Sequence, residues 1–274
     1  MKRLLVLFSI VFFFTSFTKK ELSWTAVGDS ITYLNDHANE TGDRITKGYM
    51  TMVTEKLTHI HFINQGHNGW TSKRIADNIE KLGLVRSDIY SVFLGTNDWW
   101  HADTLGNLSD YKNNTGSKTL YGSFRIIIDK IRSLNEKAKI ILITPMQRAD
   151  FVYINNPKNN AYGSYREKNG FTLEQFVNAI DTIGHYEHIA VVDIYHNKEL
   201  SVEHLVKFKR LKDPQPGVYK NYSYPDFVDI PFNPETDEYP YPADAIDMTY
   251  DGLHPSDKGY RIIAGMLIKV MKKY

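Results

Sequence analysis

The sequence contains no cysteine among its 274 residues. That absence excludes disulfide bonds, thiolate metal sites and catalysis by a cysteine nucleophile. Charge of one sign is also lacking, because 33 Lys and Arg residues are offset by 32 Asp and Glu residues to a net charge of +1. Proteins that bind nucleic acid usually carry a basic patch, so no nucleic-acid partner is predicted. No internal repeat and no linker is evident, which predicts a single domain over residues 21–274.

Long apolar runs are scarce, and the one that stands out is Leu4–Phe17 near the N terminus. It follows Lys2 and Arg3, which is the order of segments in a secretory signal peptide. The run is too short for a comfortable membrane span. We therefore predict a signal peptide within residues 1–20 and a secreted or periplasmic protein. The cleavage-site match at residues 16–18 is weak, so an uncleaved N-terminal anchor is the alternative.

Apolar strand patterns alternate with amphipathic helix patterns along the rest of the chain. Such alternation predicts an α/β fold whose central parallel sheet is covered by helices on both faces. The predicted strands are 24–27, 60–63, 89–94, 139–144 and 189–194. The predicted helices are 47–58, 71–82, 117–134, 173–183 and 256–273.

Four short segments stand where a predicted strand ends or a predicted helix begins. They are Gly28-Asp29-Ser30, Asn64-Gln65-Gly66, Gly95-Thr96-Asn97-Asp98 and Asp251-Gly252-Leu253-His254-Pro255. The first three follow successive strands, whose carboxyl ends meet at one edge of a parallel sheet. Ester hydrolysis by a serine needs a nucleophile, a base, a group that orients the base, and donors for the oxyanion. The four segments supply all of these.

These four segments, in this order, resemble the four sequence blocks of the SGNH hydrolase family, also called GDSL esterases and lipases. Ile31 stands where the short name of that family has leucine. The resemblance implies a three-layer α/β/α sandwich, similar to flavodoxin, with a central five-stranded parallel sheet. No cofactor and no metal is predicted, because the segments already provide the polar groups that the reaction uses.

The resemblance also implies roles for individual residues. Ser30 is expected to attack the ester carbonyl, His254 to take its proton, and Asp251 to hold the other imidazole nitrogen. The backbone N–H groups of Ser30 and Gly66 and the side-chain amide of Asn97 are expected to form the oxyanion hole. Taken singly, each residue also fits a structural role as a helix cap or a turn residue. Two neighbouring acids, Asp29 and Asp98, are interpreted as structural.

Substrate-binding residues are predicted from their position beside these segments. Trp99 and Trp100 follow Asn97 directly, and Trp70 follows the second segment. Tryptophan faces suit an apolar or sugar-stacking wall, although packing in the core is the alternative for each. Arg148 lies in an irregular segment after the fourth strand and is expected at the same end of the sheet.

Two irregular segments, at about 147–170 and 196–250, are predicted to be loop insertions that set substrate choice. The longer one is rich in Tyr, Pro and Asp, and it is expected to fold over the site as a lid. The expected substrate is a small-molecule or polysaccharide ester, with O-acetyl groups on carbohydrate favoured. A lipase, lysophospholipase or thioesterase acting on longer acyl chains is the alternative. A carbohydrate-binding protein without turnover is a further one. No stable membrane partner is expected unless the N-terminal segment stays uncleaved.

Overall fold

The computed structural model describes residues 19–215 and 217–274. Its strands, numbered in chain order, are β1 Leu22–Gly28, β2 Ile60–Gly66, β3 Ile89–Phe93, β4 Lys139–Ile143, β5 Phe151–Val152, β6 Asn160–Ala161, β7 Ala190–Val192, β8 Lys209–Lys212 and β9 Tyr219–Tyr222. Five of them form the central parallel sheet in the order β2-β1-β3-β4-β7. Counted along the sheet this is the flavodoxin-like order, so the predicted five-stranded parallel sheet is confirmed.

Helices connect the strands of the sheet. The α-helices are α1 Ser30–Tyr33, α2 Tyr49–Lys56, α3 Ser72–Asp77, α4 Thr96–Trp100, α5 Leu108–Lys112, α6 Leu120–Leu134, α7 Leu173–Glu187 and α8 Asp257–Met271. Short 3-10 turns lie at Leu34–Asp36, Ala38–Thr41, Lys198–Leu200 and Ala243–Ala245. The pairs β5–β6 and β8–β9 form two small antiparallel hairpins inside the two segments predicted as loops.

The central strands have apolar residues on both faces, and successive residues belong to different cores. In β4, Ile141 and Ile143 belong to one hydrophobic cluster, whereas Ile140 and Leu142 belong to the other. This is the period of two that an extended strand imposes. Helices α2 and α8 cover the first face, and α3, α6 and α7 cover the second. The three-layer α/β/α sandwich is therefore confirmed.

One predicted helix is shorter than the apolar spacing suggested. The pattern predicts a helix from residue 71 to 82, but α3 ends at Asp77. Thr71 caps its start by accepting a hydrogen bond from the Arg74 N–H. At its end the Asn78 side chain donates to the Arg74 carbonyl at 2.9 Å, and the chain continues as turns. Asparagine competes with helical hydrogen bonding in this way, which explains the early end.

The predicted signal segment, up to residue 18, lies outside the described residues. Within residues 19–215 and 217–274, no helix is long and apolar enough to cross a membrane.

Candidate active site

Ser30 is the first residue of α1, directly after the end of β1. The turn is fixed by Asp29, which is 2% exposed and accepts a hydrogen bond from the Ile31 N–H at 3.0 Å. Burial raises the pKa of Asp29 to about 6, although the hydrogen bond from Ile31 acts in the opposite direction. Asp29 therefore holds the strand-to-helix turn that presents Ser30, as the sequence indicated.

The predicted acid, Asp251, and the predicted base, His254, lie in one tight turn before α8. Asp251 is fully buried, and its Oδ1 accepts from the backbone N–H groups of Leu253 at 3.0 Å and His254 at 2.8 Å. Its Oδ2 lies 2.7 Å from Nδ1 of the His254 ring. The spacing of three residues lets one carboxylate fix both the backbone of the turn and the orientation of the imidazole.

The other ring nitrogen of His254 meets the serine. His254 Nε2 lies 2.9 Å from Ser30 Oγ, although 224 positions separate the two residues in the sequence. The ring is held by Tyr250, stacked at a centroid distance of 5.8 Å, and by Phe151, which meets it edge-on at 5.4 Å. The structure thus places a carboxylate, an imidazole and a hydroxyl in one continuous row of hydrogen bonds.

A cavity of about 330 Å³ opens over this row. Residues from the ends of the strands and from the β5–β6 hairpin enclose it. Its lining consists of Ser30, Leu34, Glu40, Asn68, Gly69, Asn97, Trp100, His101, Arg148, Phe151, Tyr153, Asn159, Ala161, Tyr250, Leu253 and His254. The lining contains both apolar and polar groups, so the cavity can accommodate a small polar ligand.

Asn97 is in α4, just past the end of β3, and it lines the same cavity. Its side-chain nitrogen donates to the Trp70 carbonyl at 3.0 Å, which fixes the orientation of the amide. An asparagine amide has two N–H groups, so one remains available for a ligand. The Asn97 amide is neutral, so holding this donor in the site does not bury a charge.

Gly66, predicted as an oxyanion donor, is not in the lining of the cavity. Its N–H already donates to the Asn64 side chain at 2.9 Å. A Cβ atom at this position would stand 2.1 Å from the Tyr33 nitrogen, so only glycine lets α1 pack against the end of β2. The assignment of Gly66 to the oxyanion hole is therefore corrected: this glycine supports the serine turn.

Gly69 occupies the place in the cavity that was expected for Gly66. Its φ is +69°, in the left-handed region that glycine adopts readily, and a Cβ there would meet no atom within 4 Å. Within the described residues its N–H donates to no protein atom. Gly69 lies three residues after the glycine that ends the second segment, and the structure brings Gly69 rather than Gly66 to the cavity.

The three predicted tryptophans have different environments. Trp99 is fully buried, and its indole N–H donates to the Phe171 carbonyl at 2.9 Å, so it is a core residue. Trp70 is partly buried, lies outside the cavity lining, and is covered by the Arg74 guanidinium at 4.4 Å from its ring. Both predictions are corrected. Trp100 does line the cavity, because adjacent helical residues point in different directions.

Arg148 also lines the cavity, as predicted, yet its side chain is almost wholly buried at 1% exposure. Its guanidinium carbon lies 5.3 Å from the Trp100 ring and 5.7 Å from the Trp99 ring. Burial lowers the pKa of Arg148 to about 10, partly offset by the nearby carboxylates of Asp251 and Asp150. The group remains a cation at neutral pH.

The long segment 196–250 contacts the site mainly through the segment that carries β5 and β6. Of the described residues of this segment, Tyr250 alone lines the cavity. Elsewhere it braces the segment that carries β5 and β6: Lys209 Nζ lies 2.7 Å from Asp150 Oδ2, and the Tyr239 hydroxyl donates to the Val152 carbonyl at 3.0 Å. The expected lid is therefore corrected to a brace in the described structure.

Asp98 lies behind the site and is fully buried. It accepts hydrogen bonds from the Ser72 N–H, at 3.0 Å, and from the Ser72 hydroxyl. Burial raises its pKa to about 6, with those hydrogen bonds acting in the opposite direction. Asp98 joins α4 to the start of α3, in line with the structural role expected of it.

In residues 19–215 and 217–274, no group of three or more His, Asp or Glu side chains is arranged to hold a metal ion.

The family of the chain follows from comparison with known sequences. The model of the GDSL-like lipase/acylhydrolase family matches residues 26–262, which include all four segments. The chain belongs to this family. Membership confirms the resemblance seen in the sequence, and it identifies the protein as an ester-bond hydrolase.

Solved structures include similar members of the GDSL family. A possible lipase from Chitinophaga pinensis has 62% sequence identity and a TM-score of 0.92, over 92% of this chain and 98% of that one. The lipase/acylhydrolase from Enterococcus faecalis has 18% identity and a TM-score of 0.51, over 92% and 95%. An acetyl xylan esterase has 18% identity and a TM-score of 0.51, over 90% and 98%. The last two share the fold. No curated protein matched the chain.

Several residues at the cavity were missed from the sequence. Phe151 and Tyr250 hold the His254 ring, and both come from segments predicted only as irregular loops. Gly69 could have been found as the second glycine of the segment Gly66-His67-Asn68-Gly69. Choosing between the two glycines requires knowledge of which backbone packs against α1.

Proposed function

We propose that the protein is a secreted serine esterase that hydrolyses O-acetyl esters of carbohydrate, with Ser30, His254 and Asp251 as its catalytic triad. The observation that carries this proposal is the row of hydrogen bonds from Asp251 through His254 to Ser30, which opens into a cavity also lined by Asn97. Export rests on the N-terminal sequence alone.

The first chemical step forms an acyl-enzyme. Ser30 Oγ attacks the carbonyl carbon of the ester while His254 Nε2 takes the hydroxyl proton. Asp251 keeps the Nδ1 proton in place and stabilises the imidazolium that results. Collapse of the tetrahedral intermediate breaks the bond to the alcohol, and His254 returns the proton to the leaving oxygen. In the second step water attacks the acyl-enzyme by the same route and releases the acid.

Negative charge develops on the carbonyl oxygen in both steps. We assign its donors as the Ser30 N–H, the Gly69 N–H and the second amide N–H of Asn97. The Ser30 N–H is in the first turn of α1 and has no intrahelical acceptor. Donors held in place before reaction stabilise the transition state without reorganisation, which is often the largest single contribution to catalysis.

The size of the cavity favours a short acyl group. About 330 Å³ is at the lower end of the range for small-molecule sites. Trp100 lines the cavity, and the part of its indole that is not covered by Lys168, whose Nζ lies 4.1 Å from the ring centroid, can pack against the C–H face of a sugar ring. Longer acyl chains are the alternative substrate, because the Chitinophaga pinensis relative is described as a possible lipase.

Hydrolysis of p-nitrophenyl esters from acetate to palmitate tests the proposal, with Ser30→Ala beside the wild type. Ser133→Ala is a matched control, because Ser133 is an exposed serine of α6 far from the cavity in the fold. We expect acetate to be the best substrate and its hydrolysis to disappear only in Ser30→Ala. A preference for long chains would support the lipid alternative. Unchanged activity in Ser30→Ala would remove Ser30 as the nucleophile, and no activity on any ester would favour a binding role.

A further inference from the structure

The Arg148 side chain has buried donors without acceptors. Its Nε and Nη2 atoms are shielded from solvent and form no hydrogen bond within the described residues. Only the backbone of Arg148 is engaged, by Ser164, whose hydroxyl accepts from the Arg148 N–H at 3.0 Å. A buried cation without a partner is costly, so buried charges are normally paired. The side chain nevertheless lines the cavity that contains Ser30.

The neighbouring carboxylates do not pair with this guanidinium. No carboxylate oxygen of the described chain lies within 4 Å of it. Asp251 is engaged by His254 and two backbone N–H groups. Asp150 is engaged by Lys209, by the Gly163 N–H at 2.8 Å and by the Tyr165 hydroxyl. Both carboxylates raise the affinity of Arg148 for its proton without satisfying its donors.

The tryptophans beside Arg148 compensate its charge only in part. Guanidinium groups at about 5–6 Å from an indole ring gain a cation–π attraction, but this leaves the N–H donors unused. The one acidic residue among those lining the cavity is Glu40, which accepts a hydrogen bond from the Tyr33 hydroxyl at 2.9 Å. The site therefore contains a buried cation whose Nε and Nη2 donors have no acceptor within the described residues, and this side chain borders the cavity that contains the serine.

We propose that Arg148 binds a carboxylate on the substrate, so that the esters hydrolysed are O-acetyl esters of acidic sugars. This rests on the proposed function, because it assigns the substrate class of the same site. A guanidinium presents donors in a planar fork that matches the two oxygens of a carboxylate. The fork also matches phosphate, which a phosphorylated sugar or a lysophospholipid would offer.

The kinetic test compares two substrates that differ only in the anion: an O-acetylated uronic acid and the same sugar with its carboxylate replaced by a primary amide. We expect wild-type protein to prefer the acid by about 10- to 100-fold in kcat/KM, the usual value of a hydrogen bond to a charged group. Arg148→Gln should lose this preference, so that its kcat/KM for the acid falls to the value it has for the amide. Arg148→Lys should keep part of it. Arg166→Gln, an exposed arginine of the same segment, is the matched control.

Direct binding separates this inference from the proposed catalysis. Calorimetry with Ser30→Ala protein should detect the deacetylated uronic acid and not its amide, and the Ser30→Ala, Arg148→Gln double variant should detect neither. Equal hydrolysis of acid and amide by the wild type would overturn the inference, as would equal losses on both in Arg148→Gln. A stronger preference for an acetylated sugar phosphate would overturn the carboxylate assignment. Binding without hydrolysis of any acetyl ester, p-nitrophenyl acetate included, would refute the esterase proposal and leave the anion site standing.

Discussion

Replacement of Asp251 by asparagine is expected to remove most of the hydrolysis while the fold stays intact. Oδ1 of Asp251 accepts from the Leu253 and His254 N–H groups, and Oδ2 faces His254 Nδ1. In the variant, the two backbone donors require the amide oxygen to take the place of Oδ1. The amide NH₂ must then face Nδ1, which can only accept. The ring proton consequently moves to Nε2, which lies 2.9 Å from Ser30 Oγ.

In that tautomer His254 donates to Ser30 and cannot take its proton. The corresponding substitution in a Ser-His-Asp protease leaves the geometry intact and lowers kcat about 10⁴-fold. A factor of 10⁴ corresponds to about 5.4 kcal/mol of activation free energy, and we expect a loss of this order here. Stability should change little, because asparagine keeps both backbone hydrogen bonds of the turn.

The assay measures kcat for p-nitrophenyl acetate at neutral pH together with the melting temperature. Asp247→Asn is a suitable control, because Asp247 is an acid just before the same turn and its side chain pairs with Lys258 rather than with the imidazole. It should hydrolyse the ester like the wild type. If Asp251→Asn were folded and retained kcat within about tenfold of the wild type, the tautomer argument would be refuted.

Three further substitutions test other parts of the structure. Asn97→Ala removes a proposed oxyanion donor and should lower kcat for p-nitrophenyl acetate by about 100- to 1000-fold, with a smaller change in KM. Asp98→Asn tests the buried acid. Burial raises the pKa of Asp98 from 3.8 to about 6, so the folded wild type binds this proton more tightly than the unfolded chain does. The free energy of unfolding of the wild type therefore falls as the pH rises from about 4 to about 6. The unfolding free energy of Asp98→Asn relative to the wild type, measured by urea denaturation, should rise by about 3 kcal/mol from about pH 4 to about pH 7. Lys209→Ala removes the cation that pairs with Asp150, whose side chain is 18% exposed and keeps two other hydrogen bonds, and should lower the free energy of unfolding by about 1.5–3 kcal/mol.

Each of these three has a control variant or a result that would contradict it. Asn68→Ala changes an exposed asparagine at the rim of the cavity, and a kcat loss as large as that of Asn97→Ala would argue against a specific donor role. A parallel pH dependence of Asp98→Asn and wild type would show that Asp98 does not titrate in that range. Lys212→Ala, at an exposed position of β8, should change stability by less than about 0.5 kcal/mol. If Lys209→Ala and Lys212→Ala changed the free energy of unfolding equally, the ion pair between Lys209 and Asp150 would not stabilise the fold.

The sequence predicted the sheet and the convergence of the four segments because both depend on local patterns. Apolar runs mark strands, and the topology of a parallel sheet places the residues after β1 and β3 at one edge. Ser30 and Asn97 could therefore be grouped from the amino-acid sequence alone. His254 and Asp251 are close in sequence, so one turn decides their relation.

The details that could not be predicted depend on contacts between distant segments. Gly66 and Gly69 both fit as donors in the sequence, and they are separated by the packing of Tyr33 against Gly66 and by the hydrogen bond from the Gly66 N–H to Asn64. Trp99 and Trp100 differ in burial because the core lies on one side of α4. The tyrosines of residues 196–250 indicated a packed segment. They did not indicate that this segment would contact the residues that carry β5 and β6.

The proposed mechanism depends on Ser30 as the nucleophile, activated by His254. Labelling with a fluorophosphonate, followed by intact mass measurement and peptide mapping, tests it most directly. We expect one adduct per chain, on Ser30, that is absent in Ser30→Ala and forms far more slowly in His254→Ala. An adduct on another residue, or ester hydrolysis by a protein that takes up no label, would contradict it.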